Sequence, residues 1–387
     1  MSERRPVVDL TDEEARRALI LKWGTVPADV LPAWVAEMDY ALDPIVHEAV
    51  LRAVRDGVTG YPVFGYTPEL GEAYAGFAAR HYGGEVEPEW VYPVVDVTAG
   101  VRVAIDVLSE PAPVVFLVPG YSPQLDVADL TGRRRVDLVL DADAQRAEID
   151  LDRLDALLAD GARTLLLTQP HNPWGRVFSR AELEGIRDVV VRHGARVVCD
   201  EIHAPLVLPG AAHTSYLAIE GTHDHAVAVV AASKAFNTAG LRCAQLLAPD
   251  PETRRRLTEV PMSRNDSWSP LGVVAAVSAY TDGDGWLASL VERLDGLRSQ
   301  LSDLLAEQLP LARMRPLEAT YLVWLDARAY GHADPAEVAF DRGRVKVAPG
   351  HDYAPGLAGH VRLNIATSPD RLREIVRRLA AAWSYHR

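Results

Sequence analysis

One apolar run constrains the fold of this chain more than any other stretch of the sequence. Residues 226–232 are seven small or β-branched residues without a charge, which is typical of a strand buried on both faces of a sheet. Ser233 and Lys234 follow directly. Ligands in open α/β sheets bind at the carboxyl ends of strands, so the run predicts that Lys234 lies at a ligand site. A solvated loop lysine is the alternative.

Polar residues follow two further predicted strands in the same way. The strand at residues 195–199 leads into Asp200, and the strand at residues 164–168 precedes Asn172. A desolvated lysine loses basicity and can form a Schiff base with an aldehyde. A carboxylate such as Asp200 can keep the pyridine nitrogen of pyridoxal 5′-phosphate (PLP) protonated. Three polar groups at three neighbouring strand ends therefore favour a ligand site over the loop lysine.

Helix signals separate these strands. Ser179 precedes a glutamate by three residues, which is the spacing of a capping box, and Gly194 is expected at the end of the same helix. Thr11 has the same spacing to a glutamate. A leucine-rich stripe at residues 287–305 predicts one long helix. Strands alternating with helices imply an α/β fold with a mostly parallel central sheet flanked by helices.

The length of the chain predicts two domains. Its 387 residues exceed what one hydrophobic core usually supports. We expect an N-terminal arm, residues 1–45, that belongs to a small α+β domain. Residues 46–285 would form the large, ligand-binding domain, and residues 286–387 the remainder of the small domain.

Composition excludes several kinds of partner. The net charge of −14 and the isoelectric point of about 5.3 argue against nucleic acid or an anionic membrane surface. We expect no membrane span and no signal peptide, and we read Cys199 and Cys243 as core residues of a reducing compartment. The protein is therefore predicted to be cytoplasmic. We expect no metal site, because no second histidine or carboxylate stands at ligand spacing around His203, and His223 and His225 lie in a polar loop before a strand.

Seven motifs resemble, in the family's order, the MalY/PatB cystathionine β-lyases (carbon–sulfur lyases) of the class I/II aminotransferase superfamily. The N-terminal motif and Asp-Glu-Ile-His are the specific ones, since a generic aminotransferase usually has tyrosine where His203 stands. The motifs are Leu21 to Trp23, Asp29 to Tyr40, Phe64 to Thr67, Cys199 to His203, Ser233 to Asn237, Thr320 to Asp326 and Val361 to Asn364.

The resemblance implies PLP fold type I, with Lys234 as the catalytic residue. It also implies a homodimer in which Tyr66 reaches the PLP of the neighbouring subunit. Substrate contacts are expected from Ala36, Arg362 and Trp174, with Asn265 to Trp268 as further pocket walls. Cofactor contacts are expected from Val97, Thr98, Tyr121, Asn172, Asp200, Ile202, His203, Ser233, Lys234, Arg242 and Tyr66.

The chain departs from its relatives where the phosphate of PLP is expected. Asp96 stands where related lyases usually have glycine, and its carboxylate is expected to point away from the phosphate. Arg242 lies at an offset from Lys234 that carries a phosphate-binding arginine in many aminotransferases but is absent from many carbon–sulfur lyases. Ala231 stands where the superfamily has a phosphate-binding hydroxyl. Arg242 is therefore expected to compensate.

The reaction implied is β-elimination from an L-cysteine S-conjugate or cystathionine, which yields thiol, pyruvate and ammonia. An aminotransferase would use the same residues, and a decarboxylating or oxidative PLP enzyme acting on a cysteine S-conjugate is a further alternative. A catalytically silent binding protein on the same fold is disfavoured, because the reactive lysine, aspartate and arginine are all present.

Overall fold

The computed structural model describes residues 3–265 and 267–384. Its strands form a sheet of seven strands and a sheet of five. In chain order the strands are β1 (Leu31–Ala33), β2 (Val91–Val94), β3 (Val114–Val118), β4 (Arg135–Val139), β5 (Thr164–Thr168), β6 (Arg196–Asp200), β7 (Ala226–Val230), β8 (Ala244–Leu247), β9 (Arg313–Met314), β10 (Leu322–Asp326), β11 (Val345–Pro349) and β12 (His360–Asn364).

The seven-stranded sheet confirms the α/β prediction. Its order is β2-β8-β7-β6-β5-β3-β4, in which β4, β3, β5, β6 and β7 are parallel and only the pairings of β8 are antiparallel. Every residue of β3, β5 and β7 is buried, as expected for strands covered by helices on both faces. The register pairs Thr168 with Asp200 and Asp200 with Val229, so three carboxyl ends lie side by side.

Helices cover both sheets and begin at the predicted caps. Thr11 and Ser179 each complete a capping box, and Gly194 follows its helix with φ 59°. The helices are α1 (Asp12–Ala18), α2 (Pro44–Arg55), α3 (Pro68–Tyr82), α4 (Val97–Val103), α5 (Ser122–Leu125), α6 (Val127–Leu130), α7 (Leu151–Ala159), α8 (Arg180–Arg192), α9 (Pro251–Thr258), α10 (Met262–Asn265), α11 (Pro270–Asp282), α12 (Asp284–Gln308), α13 (Pro335–Asp341) and α14 (Pro369–Trp383).

The five-stranded sheet joins the two ends of the chain. Its order is β1-β11-β12-β10-β9, and β1 pairs in parallel with β11. Residues 34–40, which we call the strap, follow β1 and lead away from this sheet. The long helix α12 packs against α14 and presents its leucines to the core. The domain boundaries given above stay a prediction.

A buried ion pair fixes the base of the strap. Lys22 Nζ lies 2.9 Å from Asp39 Oδ1, and both side chains are almost fully buried. Lys22 also donates to the carbonyl of Glu37, and Trp23 Nε1 donates to Asp39. The pair therefore connects the segment before β1 with the far end of the strap.

We expect Lys22→Met to destabilise the protein by about 3 kcal/mol, because it removes the nearer cation of the buried Asp39 carboxylate. Arg371, whose Nη1 lies 3.5 Å from Asp39 Oδ2, then remains beside it. Arg17→Met is the matched control, since Arg17 pairs with Glu13 at 2.7 Å on the exposed face of α1. That change should cost less than about 1 kcal/mol. Chemical denaturation measures both free energies of unfolding. Equal losses in the two variants would contradict the role given to the buried pair.

The described residues contain neither a membrane-spanning helix nor a metal-binding group of side chains. None of their helices combines the length and the apolar composition needed to cross a membrane. Nor do residues 3–265 and 267–384 hold a group of three or more His, Cys, Asp or Glu side chains arranged to bind a metal.

Candidate active site

One cavity lies at the carboxyl ends of the parallel strands and extends to the strap and β12. It contains most of the predicted site residues: Ala36, Val97, Thr98, Tyr121, Asn172, Asp200, Ile202, His203, Ser233, Lys234, Arg242 and Arg362. Its other lining residues are Val35, Val95, Asp96, Gln124, Thr168, Ala239, Cys243 and Ala244.

Lys234 lies just past the end of β7 and points toward the strap. Its Nζ donates to the carbonyl oxygen of Ala36 at 3.0 Å. Burial, and then the positive charge of Arg362, lower the pKa of Lys234 to about 8. A neutral amine is therefore available close to neutral pH, which is the condition for attack on an aldehyde or for accepting a proton.

Asp200 ends β6 with a carboxylate held on both oxygens. Gln124 Nε2 donates to Oδ2 at 2.6 Å, and the backbone N–H of Ile202 donates to Oδ1 at 3.0 Å. Burial raises the pKa of Asp200 to about 6, against the lowering effect of these hydrogen bonds. Sequence reasoning missed Gln124. It lies on the short helix α5, and its type and spacing carry no recognisable signal.

Arg362 brings a buried cation from β12 to the cavity. Its Nη1 donates to Asn172 Oδ1 at 3.1 Å and its Nη2 to the carbonyl of Trp34 at 2.8 Å, while the guanidinium carbon lies 5.0 Å from the ring centroid of Tyr353. Its Nε is buried without a partner, and no carboxylate of the described residues forms an ion pair with it. A buried cation held only by neutral groups is a strong receptor for a carboxylate.

Two asparagines hold the strap against the cavity. Asn237 Oδ1 accepts from the backbone N–H of Met38, and Asn237 Nδ2 donates to the carbonyl of Met38. Asn364 Nδ2 donates to the carbonyls of Val35 and Glu37 at 2.6 and 2.7 Å. The strap is therefore fixed from the large sheet by Asn237 and from the small sheet by Asn364.

His203 lies in the cavity as a neutral imidazole. Burial, together with the charges of Lys234 and Arg362, lowers its pKa to about 3. Its Nδ1 is buried without a partner. Tyr121 and Ile202 also line the cavity, and burial raises the pKa of the Tyr121 hydroxyl. These side chains give the cavity uncharged polar and apolar walls.

The end of the cavity near α4 holds an ion pair. Asp96 caps α4 by accepting from the backbone N–H of Ala99 at 2.7 Å, and its other oxygen lies 2.8 Å from Arg242 Nη2. The expectation that Asp96 points away from this end is therefore wrong, because capping draws its carboxylate toward the first turn of the helix.

Three other predictions differ from the structure. Trp174 is not part of the cavity wall: its side chain is buried in the core, with the guanidinium carbon of Arg315 5.5 Å from the ring. Asn265 is buried and donates to the carbonyl of Pro93, and Trp268 packs against Phe64, so neither lines the cavity. Asp266, between them, lies outside the described residues.

Tyr66 lies apart from the cavity of its own chain. It is 41 % exposed in the loop before α3. The expectation that Tyr66 reaches the PLP of a neighbouring subunit stays a prediction.

The donor set fits PLP. Lys234 supplies an amine for the aldehyde, Asp200 a carboxylate for the ring nitrogen, and Asn172 an amide whose Nδ2 can donate to a ring oxygen. Orphaned polar atoms at Arg362 and His203 leave binding capacity for a further polar ligand. The fold and the cavity thus define an α/β enzyme of PLP fold type I.

Comparison with known proteins gives the family. The model of aminotransferase class I and II matches residues 24–379, so the chain belongs to this family. It is 37% identical over 404 residues to a candidate cystathionine β-lyase of Mycobacterium tuberculosis H37Rv, covering 97% of each chain. It is 34% identical over 374 residues to the cystathionine β-lyase of Corynebacterium glutamicum, covering 95% of this chain and 98% of that one.

A solved structure gives the same result. A candidate PLP-dependent β-cystathionase from Corynebacterium diphtheriae superposes with a TM-score of 0.92 at 33% identity, and the match covers 98% of this chain and all of that one. The predicted family and fold type are confirmed.

The lowered pKa of Lys234 predicts its chemical reactivity. In the cofactor-free protein, the rate at which an amine reagent such as trinitrobenzenesulfonate labels Lys234 should rise with pH and level off above a midpoint near 8, because only the neutral amine reacts. Arg362→Met should raise the midpoint, since it removes a neighbouring positive charge. Peptide mass mapping separates Lys234 from Lys22 and Lys346. A midpoint near the ordinary value of 10.5 would contradict the assignment.

Proposed function

We propose that this protein is a PLP-dependent carbon–sulfur β-lyase that converts an L-cysteine S-conjugate or cystathionine into thiol, pyruvate and ammonia. The observation that carries the proposal is the convergence of Lys234, Asp200 and Arg362 on one cavity beneath the strap. Both relatives above match nearly the whole chain; one is named a cystathionine β-lyase and the other a candidate cystathionine β-lyase.

PLP supplies an electron sink that stabilises negative charge at the Cα atom of a bound amino acid. Asp200 would hold a proton on the pyridine nitrogen of bound PLP, because its buried carboxylate, with a pKa of about 6, is still mostly ionised at pH 7. Gln124 orients that carboxylate through its 2.6 Å hydrogen bond. Asn172 keeps Nδ2 free to donate while its Oδ1 accepts from Arg362.

Arg362 binds the substrate α-carboxylate and so fixes the position of Cα. Lys234 Nζ accepts the Cα proton, which its pKa of about 8 permits near neutral pH. The carbonyl of Ala36 then accepts a hydrogen bond from the protonated amine. Loss of the β-thiolate follows, and addition of water to the remaining three-carbon fragment gives pyruvate and ammonia.

An aminotransferase is the second candidate, because Lys234, Asp200 and Arg362 serve both reactions. Arg242 is the feature that favours an aminotransferase. Arg242 pairs with Asp96 at the end of the cavity expected to hold the phosphate, however, and both reactions need that phosphate, so Arg242 does not discriminate between them. The strap and His203 belong to the motifs that define the lyase group. Elimination is therefore the better-supported reaction.

We expect stoichiometric pyruvate, ammonia and thiol from L-cystathionine or an S-alkyl-L-cysteine without any added keto acid. Lys234→Ala should give no pyruvate, since it removes the amine that accepts the Cα proton. Product assays for all three compounds check this. Turnover that requires a keto-acid acceptor, or that releases carbon dioxide with the sulfur still attached, would overturn the lyase proposal.

The proposed enzyme is a cytoplasmic homodimer with shared active sites. Large apolar and aromatic side chains are exposed together in the loop before α3, and exposed groups of this kind mark interaction surfaces. They are Tyr61, Val63, Phe64 and Tyr66. We assign to Tyr66 a hydrogen bond from its hydroxyl to the PLP phosphate in the neighbouring subunit.

Subunit mixing tests the shared site. Tyr66→Phe is expected to lose most activity, and mixing it with inactive Lys234→Ala should restore activity, because the mixed dimer carries both lesions in one site and none in the other. Tyr61→Phe in the same loop is the control and should stay active alone. No recovery, with subunit exchange verified by mass spectrometry, would indicate a site within one chain.

A further inference from the structure

We propose that Asp96 is an internal competitor for the cofactor phosphate, and that Arg242 acts mainly to neutralise it. Asp96 lines the cavity. One of its carboxylate oxygens accepts a hydrogen bond from the backbone N–H of Ala99, and the other pairs with the guanidinium of Arg242. Helix N-terminal N–H groups and an arginine are the donors that a phosphate dianion seeks. We call the expected phosphate site, formed by the N-terminus of α4 with Thr98, Ser233 and Arg242, the phosphate cradle. Some of its donors are thus already bound to the carboxylate of Asp96.

The rest of the cradle is intact. Val97 and Thr98 open a helical segment that continues through residues 104–108, and Thr98 and Ser233 add hydroxyl groups that line the cavity. A phosphate can therefore bind beside Asp96. It must do so at short range from a carboxylate whose charge repels it.

The net charge of the cradle depends on Arg242, which offsets the negative charge of Asp96. The side chains of Arg242 and Asp96 are 54% and 33% exposed, so their ion pair contributes little to stability and can rearrange. With both residues present the cradle is close to neutral before the phosphate arrives. Without Arg242 it carries a negative charge, and without Asp96 it carries a positive one. The affinity for a phosphate should therefore be lowest without Arg242, intermediate in the natural chain and highest without Asp96.

The consequence is a cofactor site of reduced affinity for the phosphate group. Asp96→Asn is the informative change, because asparagine caps a helix as well as aspartate does and so preserves the first turn of α4. Only the charge is removed.

Calorimetric titration of the cofactor-free protein with pyridoxamine 5′-phosphate tests the proposal. This probe carries the phosphate but cannot bond covalently to Lys234. Asp96→Asn should lower its dissociation constant by about tenfold or more, and Arg242→Gln should raise it by a similar factor. Pyridoxamine, which lacks the phosphate, should bind all variants alike. Asp106→Asn is the matched control, since Asp106 pairs with Arg264 outside the cavity and should change nothing.

The double variant separates neutralisation from direct phosphate binding. If the ion pair with Asp96 withholds Arg242 from the phosphate, Arg242→Gln should weaken binding more in the Asp96→Asn background, where the guanidinium is released, than in the natural chain. Equal losses in the two backgrounds would overturn this role of the ion pair. Weaker binding of pyridoxamine 5′-phosphate by Asp96→Asn would overturn the competitor proposal and make Asp96 a positioning residue for Arg242. These affinities are independent of whether the enzyme eliminates or transaminates.

Discussion

The hydrogen bonds that hold the strap are the interactions on which the active site depends. Asn237 lies in the segment between β7 and β8 of the large sheet, and Asn364 ends β12 of the small sheet. Both bind the backbone of residues 35–38. The strap in turn supplies the carbonyl acceptors for Lys234 and Arg362. Residues from two separate sheets are therefore positioned relative to one another through a third segment.

Burial tunes the two central titrating groups in opposite directions. It lowers the pKa of Lys234 to about 8 and raises that of Asp200 to about 6. Each shift comes first from desolvation, which disfavours the charged form of either group. The hydrogen bonds of Gln124 and Ile202 limit the shift of Asp200, so its carboxylate stays mostly ionised while the lysine approaches neutrality. One cavity thus provides both an anion and a base near neutral pH.

The sequence predicted the elements whose signals are local. The strand ends at Asp200 and Lys234 followed from runs dominated by apolar residues, because a buried parallel strand has no polar face. Gln124 and the pairing of Asp96 with Arg242 could not be predicted, since they depend on how separate loops approach one another. The prediction that Trp174 contacts the substrate was wrong for a related reason. Its motif places it close to Asn172 in the chain, but its indole is buried in the core. Proximity in sequence does not determine side-chain direction in a loop.

Arg362 links substrate recognition to the basicity of Lys234. Its charge has no carboxylate partner among the described residues, and it is the second cause, after burial, of the lowered pKa of Lys234. A substrate carboxylate that binds Arg362 neutralises that charge and so removes part of the lowering. Lys234 therefore becomes a stronger base when a carboxylate is bound than when the cavity is empty. In the proposed mechanism, the arginine that binds the substrate carboxylate thus also favours transfer of the Cα proton to Nζ when the substrate is in place.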